Sequence, residues 1–270
     1  MKKIKVGIIG CGVIGTSIAI ACRSRLAYAV ELAGVCDIDE NKILALNRSL
    51  KENVRALKLD QLIKKTDLVI EASSALASSK IVEKCVENNR DCLIMSVGGL
   101  LGQEGLLKKA GEKGVKVYIP SGAVCGIDAL KAASIGKIAS VTLTTRKPPK
   151  GLEGAPYLTS KGIDVRAITK ETVLFEGSAR DAVKGFPANV NVSAVLSLAG
   201  IGAASTKVRI VTSPDYIRNT HEVEIIGDSG RITTRTENVP SESNPKTSAL
   251  AIYSAIATLE GITRSVRIGT

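Results

Sequence analysis

The chain has 270 residues, of which 44% are hydrophobic and 23% charged, and its formal net charge is +11. This composition is that of an ordinary globular protein and excludes a disordered, collagen-like or coiled-coil chain. The apolar runs are short and interrupted by glycine, serine or charge, so we expect neither a membrane-spanning helix nor a signal peptide. The length allows one large domain or two modest ones.

The positive charge does not indicate nucleic-acid binding. The excess of Lys and Arg divides almost equally between residues 1–120 and 121–270, and aromatic residues make up 3% of the chain. A nucleic-acid-binding protein concentrates its charge and adds aromatic side chains on which bases stack. A diffuse positive field suits a small anionic ligand instead.

The chain has one histidine and six cysteines, none of them in a C-x-x-C pair. A single histidine excludes a His-rich metal site, and we expect no metal ion. Cysteines inside apolar segments are typical of reduced thiols, so we predict a cytoplasmic protein without disulfides. The cysteines all lie in the first half, at Cys11, Cys22, Cys36, Cys85, Cys92 and Cys125.

The first 120 residues alternate short apolar runs with helical patterns. This rhythm predicts a parallel sheet with helices on both faces. The expected strands are 4–9, 30–36, 68–72, 92–97 and 115–119, and the expected helices are 16–22, 40–51, 78–88 and 103–113, with a short helix near Leu62.

After residue 120 the pattern changes to that of a second, α+β domain with a mostly antiparallel sheet. We expect strands at 140–146, 173–176, 207–212, 220–226 and 231–235, helices at 128–135, 178–184 and 191–198, and a loop over 147–161. A final helix over 246–261 is apolar on most faces, which predicts that it is buried. The first predicted domain therefore comprises residues 1–120, and a helix within about 245–270 packs back on it. The second predicted domain comprises residues 121–244 and serves substrate binding, catalysis and oligomerisation.

Three glycines, Gly10, Gly12 and Gly15, form G-x-G-x-x-G between the first strand and the first helix. In this setting the first glycine permits a tight turn, the second lets a pyrophosphate approach the backbone, and the third allows close helix packing. Amides at the helix start then face the phosphates. The motif predicts a Rossmann-type doubly wound domain in which the cofactor contacts these glycines with Val13 and Ile14.

Asp37 ends the second strand, where such folds place the acid that binds the adenosine ribose. Ile38 and Asp39 follow it, without a nearby cation, so a 2′-phosphate is disfavoured. We therefore predict NAD as the cofactor, with NADP possible. Ser73 follows the third strand at the same edge of the sheet and is a further candidate for cofactor contact.

His221 is the candidate for acid–base chemistry. In the strand 220–226 it lies on the same face as Val223 and Ile225. A histidine on an apolar face is often a core residue, but the second domain must supply chemistry that the nucleotide fold lacks.

Cys125 offers an alternative, a semialdehyde dehydrogenase acting through a thiohemiacetal. No second histidine is present to activate the thiol. A further alternative is a non-catalytic NAD-binding sensor.

A series of motifs runs in order from end to end of the chain. The more specific ones are FEGSA at 175–179, FPANVNV at 186–192, NTHE at 219–222 and NPKTS at 244–248; the others are the glycine motif, EAS at 71–73, IPSGA at 119–123 and LTTRK at 143–147. In these motifs the chain resembles the L-aspartate dehydrogenase family.

The resemblance implies oxidation of L-aspartate with NAD or NADP to iminoaspartate, which hydrolyses to oxaloacetate and ammonia or feeds quinolinate and NAD synthesis. It further implies that His221 is catalytic and that Ala123 and Asn191, with Asn189 as a further candidate, contact the nicotinamide end of the cofactor.

A dicarboxylate substrate needs cations and helix-start donors. Arg146 and Lys147 are possible cations, and the substrate-binding candidates are Lys246, Thr247 and Ser248. The alanine-rich second half predicts a homodimer or larger homo-oligomer.

Overall fold

The computed structural model describes residues 2–187, 190–241 and 244–269, and the side chains of residues 190 and 244–246 lie outside the description. The chain divides into two compact units. Unit 1 runs to Pro120 and includes Ile252–Arg267, and unit 2 comprises Ser121–Ala251 with the residues from Ile268 onward.

Unit 1 is built on a five-stranded parallel sheet in the order β2-β1-β3-β4-β5. Its strands are predominantly apolar, as expected where both faces are buried. The elements are β1 (Ile4–Ile9), α1 (Val13–Arg23), β2 (Val30–Cys36), α2 (Glu40–Leu50), α3 (Leu59–Lys65), β3 (Leu68–Glu71), α4 (Ala75–Glu87), β4 (Asp91–Ile94), α5 (Glu104–Glu112) and β5 (Val117–Tyr118).

The core of unit 1 joins the sheet to the end of the chain. Ile8 and Ile70 from the strands pack with Ile18 of α1 and with Ala255 and Leu259 of the last helix, and all five are fully buried. Deleting a buried leucine of this kind costs about 2–5 kcal/mol. The chain therefore returns to unit 1 through this apolar contact, which an ion pair between Arg25 and Glu260 at 3.0 Å accompanies.

The strand order of unit 1 reverses between β1 and β3, which are hydrogen-bonded neighbours. In open parallel sheets the crevice beyond the carboxyl ends of two such strands is where ligands bind. Gly10 follows β1 and Ala72 follows β3, so the glycine motif lies at this position.

Unit 2 contains a five-stranded mixed sheet in the order β10-β9-β6-β8-β7, in which β6 and β8 are parallel and the other pairs antiparallel. The prediction of an α/β fold with a parallel first sheet and a mostly antiparallel second sheet is confirmed. The strands are β6 (Ile138–Lys147), β7 (Thr172–Ser178), β8 (Lys207–Thr212), β9 (Asn219–Gly227) and β10 (Gly230–Asn238), with helices α6 (Ile127–Ala133), α7 (Pro156–Ser160), α8 (Ala179–Gly185) and α9 (Val190–Ala199).

The two phenylalanines of the chain, Phe175 and Phe186, lie in one aromatic cluster with Tyr157. Their ring centroids are 5.3–5.7 Å apart. Tyr157 belongs to α7, a helix within the segment that the sequence predicts to be a loop. Pro156 opens this helix, because its fixed φ suits the first helical position.

The end of unit 2 differs from the sequence prediction. Residues expected to begin the last helix instead form the strand β12 (Asn244–Ser248), which pairs with β11 (Pro240–Ser241). The helix α10 spans Ala249–Thr263. It begins there because Ser248 Oγ accepts a hydrogen bond from the amide of Leu250 at 3.2 Å, as a helix cap does.

Within the described ranges, no helix combines the length and apolarity needed to cross a bilayer. The cysteines Cys11, Cys22, Cys36, Cys85, Cys92 and Cys125 are all free thiols.

Candidate active site

The glycine motif of unit 1 is shaped by two close backbone contacts. Gly10 has a φ of +96°, and a Cβ at this position would lie 2.4 Å from the carbonyl oxygen of Ala72. A Cβ on Gly15 would lie 1.9 Å from the carbonyl oxygen of Gly10. Any side chain at either position would collide with backbone, so both glycines are needed for the turn to form.

Gly12 faces open space, because no atom lies within 4 Å of a Cβ built on it. It precedes α1, whose first turn has no side-chain cap. The amides of that turn, with half-buried Val13 and Ile14 among its residues, are thus left for an anion at the helix start. An open cradle in front of amide donors fits the pyrophosphate of a dinucleotide.

Asp37 is hydrogen-bonded to the loop that contains the glycine motif. Its Oδ2 accepts a hydrogen bond from the amide of Cys11 at 2.7 Å, and its Oδ1 accepts one from the amide of Asp39 at 2.9 Å. Each carboxylate oxygen can accept a second hydrogen bond, so Asp37 can both hold the loop and receive a ribose hydroxyl. Burial, with Asp37 nearby, raises the pKa of the Cys11 thiol to about 12, which keeps that thiol protonated.

A buried carboxylate organises the carboxyl ends of β3 and β4. Glu71 is fully buried, and its Oε1 accepts from both the amide and the hydroxyl of Ser73, at 2.7 and 2.9 Å. Its Oε2 accepts from the amide of Ser96 at 2.9 Å. The exposed Ser73 is therefore fixed by two hydrogen bonds to Glu71, and the proton of its hydroxyl already has an acceptor.

His221 lies in the sheet of unit 2, on β9. It shares the buried face with Val223 and Ile225, as the alternation predicts, and 7% of its surface is exposed. Its Nδ1 is 3.0 Å from the hydroxyl oxygen of Thr145, the residue paired with it on β6. Burial, together with the positive charge of Lys147, lowers the pKa of His221 to about 3, so the imidazole is neutral at physiological pH.

Lys147 lies on β6 two residues beyond Thr145 and on the same face of the strand. Burial lowers the pKa of Lys147 to about 8. Arg146 points to the other face, where it forms an ion pair with Glu222 at 3.3 Å. Of the two candidate cations on this strand, Lys147 is thus the one beside His221.

A chain of hydrogen bonds connects three segments of unit 2. The carbonyl oxygen of Ala123 accepts from Thr236 Oγ1 at 3.1 Å and from Asn238 Nδ2 at 3.0 Å. Asn238 Oδ1 accepts from Ser248 Oγ at 2.7 Å. Thr236 is the residue paired with His221 across β9 and β10. The network therefore holds Ala123, Ser248 and the strand next to His221 in one arrangement.

The remaining sequence candidates differ in exposure, and some lie outside the described residues. Asn191 is exposed at the start of α9, Thr247 is half-buried in β12, and Cys125 is exposed. Asn189 and the side chain of Lys246 lie outside the described residues. No group of three or more His, Cys, Asp or Glu side chains suited to a metal ion occurs in the described part of the chain.

Four contributors to these clusters were not identified as site residues from the sequence: Glu71, Thr145, Thr236 and Asn238. A signal existed for Asn238, because alternation along β10 places it on the inward face with Thr234 and Thr236. For Glu71 and Thr145, the partners become visible only once the strands are paired.

Comparisons with known proteins define the class and then the family. Residues 10–120 match the NAD-binding domain of homoserine dehydrogenase, and residues 128–262 match the C-terminal domain of aspartate dehydrogenase. The fold and the first match define a dehydrogenase that uses a pyridine nucleotide. The chain is 48% identical over 271 residues to the L-aspartate dehydrogenase of Methanosarcina barkeri, covering 99% of this chain and 100% of the relative. It belongs to the aspartate dehydrogenase family.

Other relatives extend the same result. L-aspartate dehydrogenase 3 of Bordetella bronchiseptica is 36% identical over 269 residues, covering 100% of this chain and 98% of the relative. The crystal structure of aspartate dehydrogenase from Thermotoga maritima matches with a TM-score of 0.78 at 26% identity, over 99% of this chain and 100% of that one. The scyllo-inositol dehydrogenase of Lactobacillus casei shares the fold, with a TM-score of 0.54 at 16% identity, over 99% of this chain and 90% of that one.

Proposed function

We propose that this protein is an L-aspartate dehydrogenase that oxidises L-aspartate to iminoaspartate with NAD. The observation that carries the proposal is the similarity over 99% of the chain to a relative named L-aspartate dehydrogenase. The reaction converts L-aspartate and NAD⁺ to iminoaspartate, NADH and a proton. Water then converts iminoaspartate to oxaloacetate and ammonia, or iminoaspartate supplies quinolinate and NAD synthesis.

The proposed cofactor site is the crevice of unit 1. Amides at the start of α1 bind the pyrophosphate in front of Gly12, with Gly10 and Gly15 shaping the turn and Val13 and Ile14 forming its helical side. Asp37 accepts hydrogen bonds from the ribose hydroxyls and repels a 2′-phosphate. We therefore assign NAD as the preferred cofactor, and NADP as the weaker one.

Three further residues are proposed for cofactor contact, each positioned within its own unit. Ser73 extends from the loop that Glu71 holds. Ala123 presents its backbone from a loop fixed by Thr236 and Asn238. Asn191, at the exposed start of α9, completes the set that the family resemblance implies, with Asn189 as the further candidate.

The proposed chemistry divides between cofactor and side chains. The nicotinamide ring accepts the hydride that leaves Cα of the substrate. His221, whose pKa of about 3 keeps its ring neutral, forms a hydrogen bond with the substrate or with the hydrolytic water. Lys147 provides positive charge for a substrate carboxylate, and because its pKa is about 8, this charge is lost in more alkaline solution.

The second carboxylate is assigned to the segment that precedes α10. Thr247 and Lys246 are the candidates for direct contact. Ser248 Oγ already donates to Asn238 and accepts from Leu250, so Ser248 positions the segment. We also propose that the protein is a homodimer or larger homo-oligomer. Its six free thiols are consistent with the reducing environment of the cytoplasm, which we propose as its location.

The test is NADH formation followed at 340 nm with purified protein and separate panels of NAD and NADP. L-aspartate is compared with D-aspartate, L-glutamate and L-aspartate semialdehyde. The proposal predicts NADH formation with L-aspartate and a higher kcat/KM with NAD. Cofactor binding without L-aspartate-dependent turnover would favour a sensor. Turnover of the semialdehyde that disappears in Cys125→Ser would favour the thiohemiacetal mechanism.

A further inference from the structure

The imidazole of His221 has two nitrogens with different surroundings. Nδ1 lies 3.0 Å from Thr145 Oγ1. Among the residues that the structure describes, this is the one hydrogen bond of the ring. Nε2 is therefore the nitrogen available to a substrate or to water. Which of the two nitrogens carries the proton of the neutral ring decides whether Nε2 donates or accepts.

We propose that the hydroxyl of Thr145 donates to Nδ1 of His221 and so fixes the tautomer in which Nε2 carries the proton. Thr145 is then a positioning residue, and His221 meets its ligand as a hydrogen-bond donor. The catalytic consequence rests on the proposed function, whereas the tautomer is a property of the protein alone.

The hydroxyl proton of Thr145 decides between the two tautomers of His221. This residue is 5% exposed, and the cavity beside it is lined by Leu143, Phe186 and other apolar side chains with Ser193. Within the described part of the chain, His221 is the hydrogen-bond partner of Thr145. If Nδ1 were the donor, the hydroxyl proton would be left buried without an acceptor, which costs free energy.

The opposite arrangement gives the buried hydroxyl proton of Thr145 an acceptor. The hydroxyl donates to the Nδ1 lone pair, and the Nε2 proton lies at the edge of the ring for which the described residues offer no partner, so that a substrate or water would accept it. The alternative of a charged ring, with both nitrogens protonated, is opposed by burial and by the positive charge of Lys147. A neutral ring with a proton on Nε2 is therefore the state that the surrounding groups stabilise.

A donor at Nε2 changes the role of His221 in the proposed reaction. The ring can donate to a substrate carboxylate, or to the oxygen of the water that adds to iminoaspartate. It does not accept the proton of the substrate ammonium at this nitrogen in the resting state. Loss of Thr145 would allow the ring to adopt either tautomer and to rotate, and both changes weaken alignment with the substrate.

The chain contains a single histidine, so isotopic labelling reports on His221 alone. Tag-free protein with ¹⁵N-labelled histidine is examined by long-range ¹H–¹⁵N correlation near pH 7. The proposal predicts an unprotonated nitrogen signal for Nδ1 and a protonated one for Nε2, in wild type and in Thr145→Ser. It predicts that Thr145→Val shifts the Nδ1 signal or gives averaged signals from both tautomers.

Thr144→Val is the matched control, because Thr144 is a buried threonine of the same strand that points to the opposite face. Its histidine signals should match those of wild type. A protonated Nδ1 in wild type, or identical patterns in wild type and Thr145→Val, would overturn the proposal.

Kinetics with L-aspartate supply a second readout. Thr145→Val should lower kcat about tenfold, as expected when one aligned hydrogen bond is lost. Thr145→Ser should retain most of the wild-type kcat. The KM for NAD should stay near the wild-type value in Thr145→Val and in Thr145→Ser. Equal loss in the serine and valine variants contradicts a positioning role. Absence of L-aspartate turnover in wild type contradicts the proposed function instead, and leaves the tautomer to be decided by the nitrogen signals.

Discussion

Asn238 and Ser248 are joined by a hydrogen bond of 2.7 Å, in which the serine hydroxyl donates to the side-chain oxygen of the asparagine. The same amide group donates to the carbonyl oxygen of Ala123 at 3.0 Å. Asn238 is 4% exposed, so loss of its partners would leave buried polar atoms unsatisfied. The segment before α10 and the loop at Ala123 therefore depend on one buried side chain.

This relationship predicts an energetic coupling between the two residues. Asn238→Ala, Ser248→Ala and the double variant should show a coupling of about 0.5–1.5 kcal/mol in the free energy of unfolding. Asn238→Ala should also lower kcat/KM for L-aspartate, because Ala123 loses a donor. Urea denaturation and steady-state kinetics measure the two effects. The exposed Thr233, changed to alanine on the same strand, is the control, and strictly additive single effects would contradict the coupling.

Two alanine substitutions in the glycine motif should affect different properties, one the binding of NADH and the other the stability of the fold. Gly12→Ala should leave the melting temperature unchanged, because its Cβ has no neighbour within 4 Å. It should weaken NADH binding by occupying the space proposed for the pyrophosphate. Gly15→Ala should destabilise the protein, because its Cβ would lie 1.9 Å from a carbonyl oxygen. Calorimetry and NADH fluorescence titration distinguish the two, and tight NADH binding by Gly12→Ala would exclude the proposed position of the phosphates.

Cofactor choice tests the assignment of Asp37. Asp37→Asn keeps one oxygen acceptor for the loop amides but removes the negative charge near the expected 2′-phosphate. The ratio of kcat/KM with NADP to that with NAD should rise about tenfold or more. Asp39→Asn, which alters the neighbouring carboxylate that caps α2 through Asn41, should leave the ratio unchanged. An unchanged ratio in Asp37→Asn would place the discrimination elsewhere.

The low pKa of His221 predicts a loss of stability in acid. The folded pKa is about 3, below the unfolded value near 6.5, so the unfolded chain binds the proton first as the pH falls. This contribution is complete above about pH 6.5 and decreases toward pH 3. Between pH 6.5 and 4 the free energy of unfolding of wild type should fall by about 3 kcal/mol relative to His221→Gln. Parallel pH curves for the two proteins would show that folding does not lower the pKa of His221.

Sequence reasoning predicts the fold best where local pattern and long-range pairing agree. In unit 1, apolar strands alternate with helices, and the glycine motif fixes the order of β1, α1 and β2. The parallel pairing of β6 with β8 has no local signature, because the partners are far apart in the chain. Helix α7 is hidden in a segment rich in proline and glycine, although Pro156 is well suited to a helix start.

The same limit applies to the site. His221 and the glycines are identifiable because their residue types and spacing carry chemistry by themselves. Thr145, Asn238 and Glu71 are ordinary polar residues in the sequence. Their roles depend on which atoms lie within hydrogen-bond distance, and only the register of the strands and the approach of loops reveal these distances.

The most direct test of the account compares wild type with His221→Ala in L-aspartate-dependent NADH formation, together with NADH binding by fluorescence. We expect wild type to form NADH with L-aspartate, and the variant to be slower by a factor of about 100 or more. NADH affinity should be unchanged, because the proposed phosphate and ribose contacts of Gly12 and Asp37 are intact. Wild-type protein that binds NADH without oxidising L-aspartate, or a variant with near-normal turnover, would contradict the central claim.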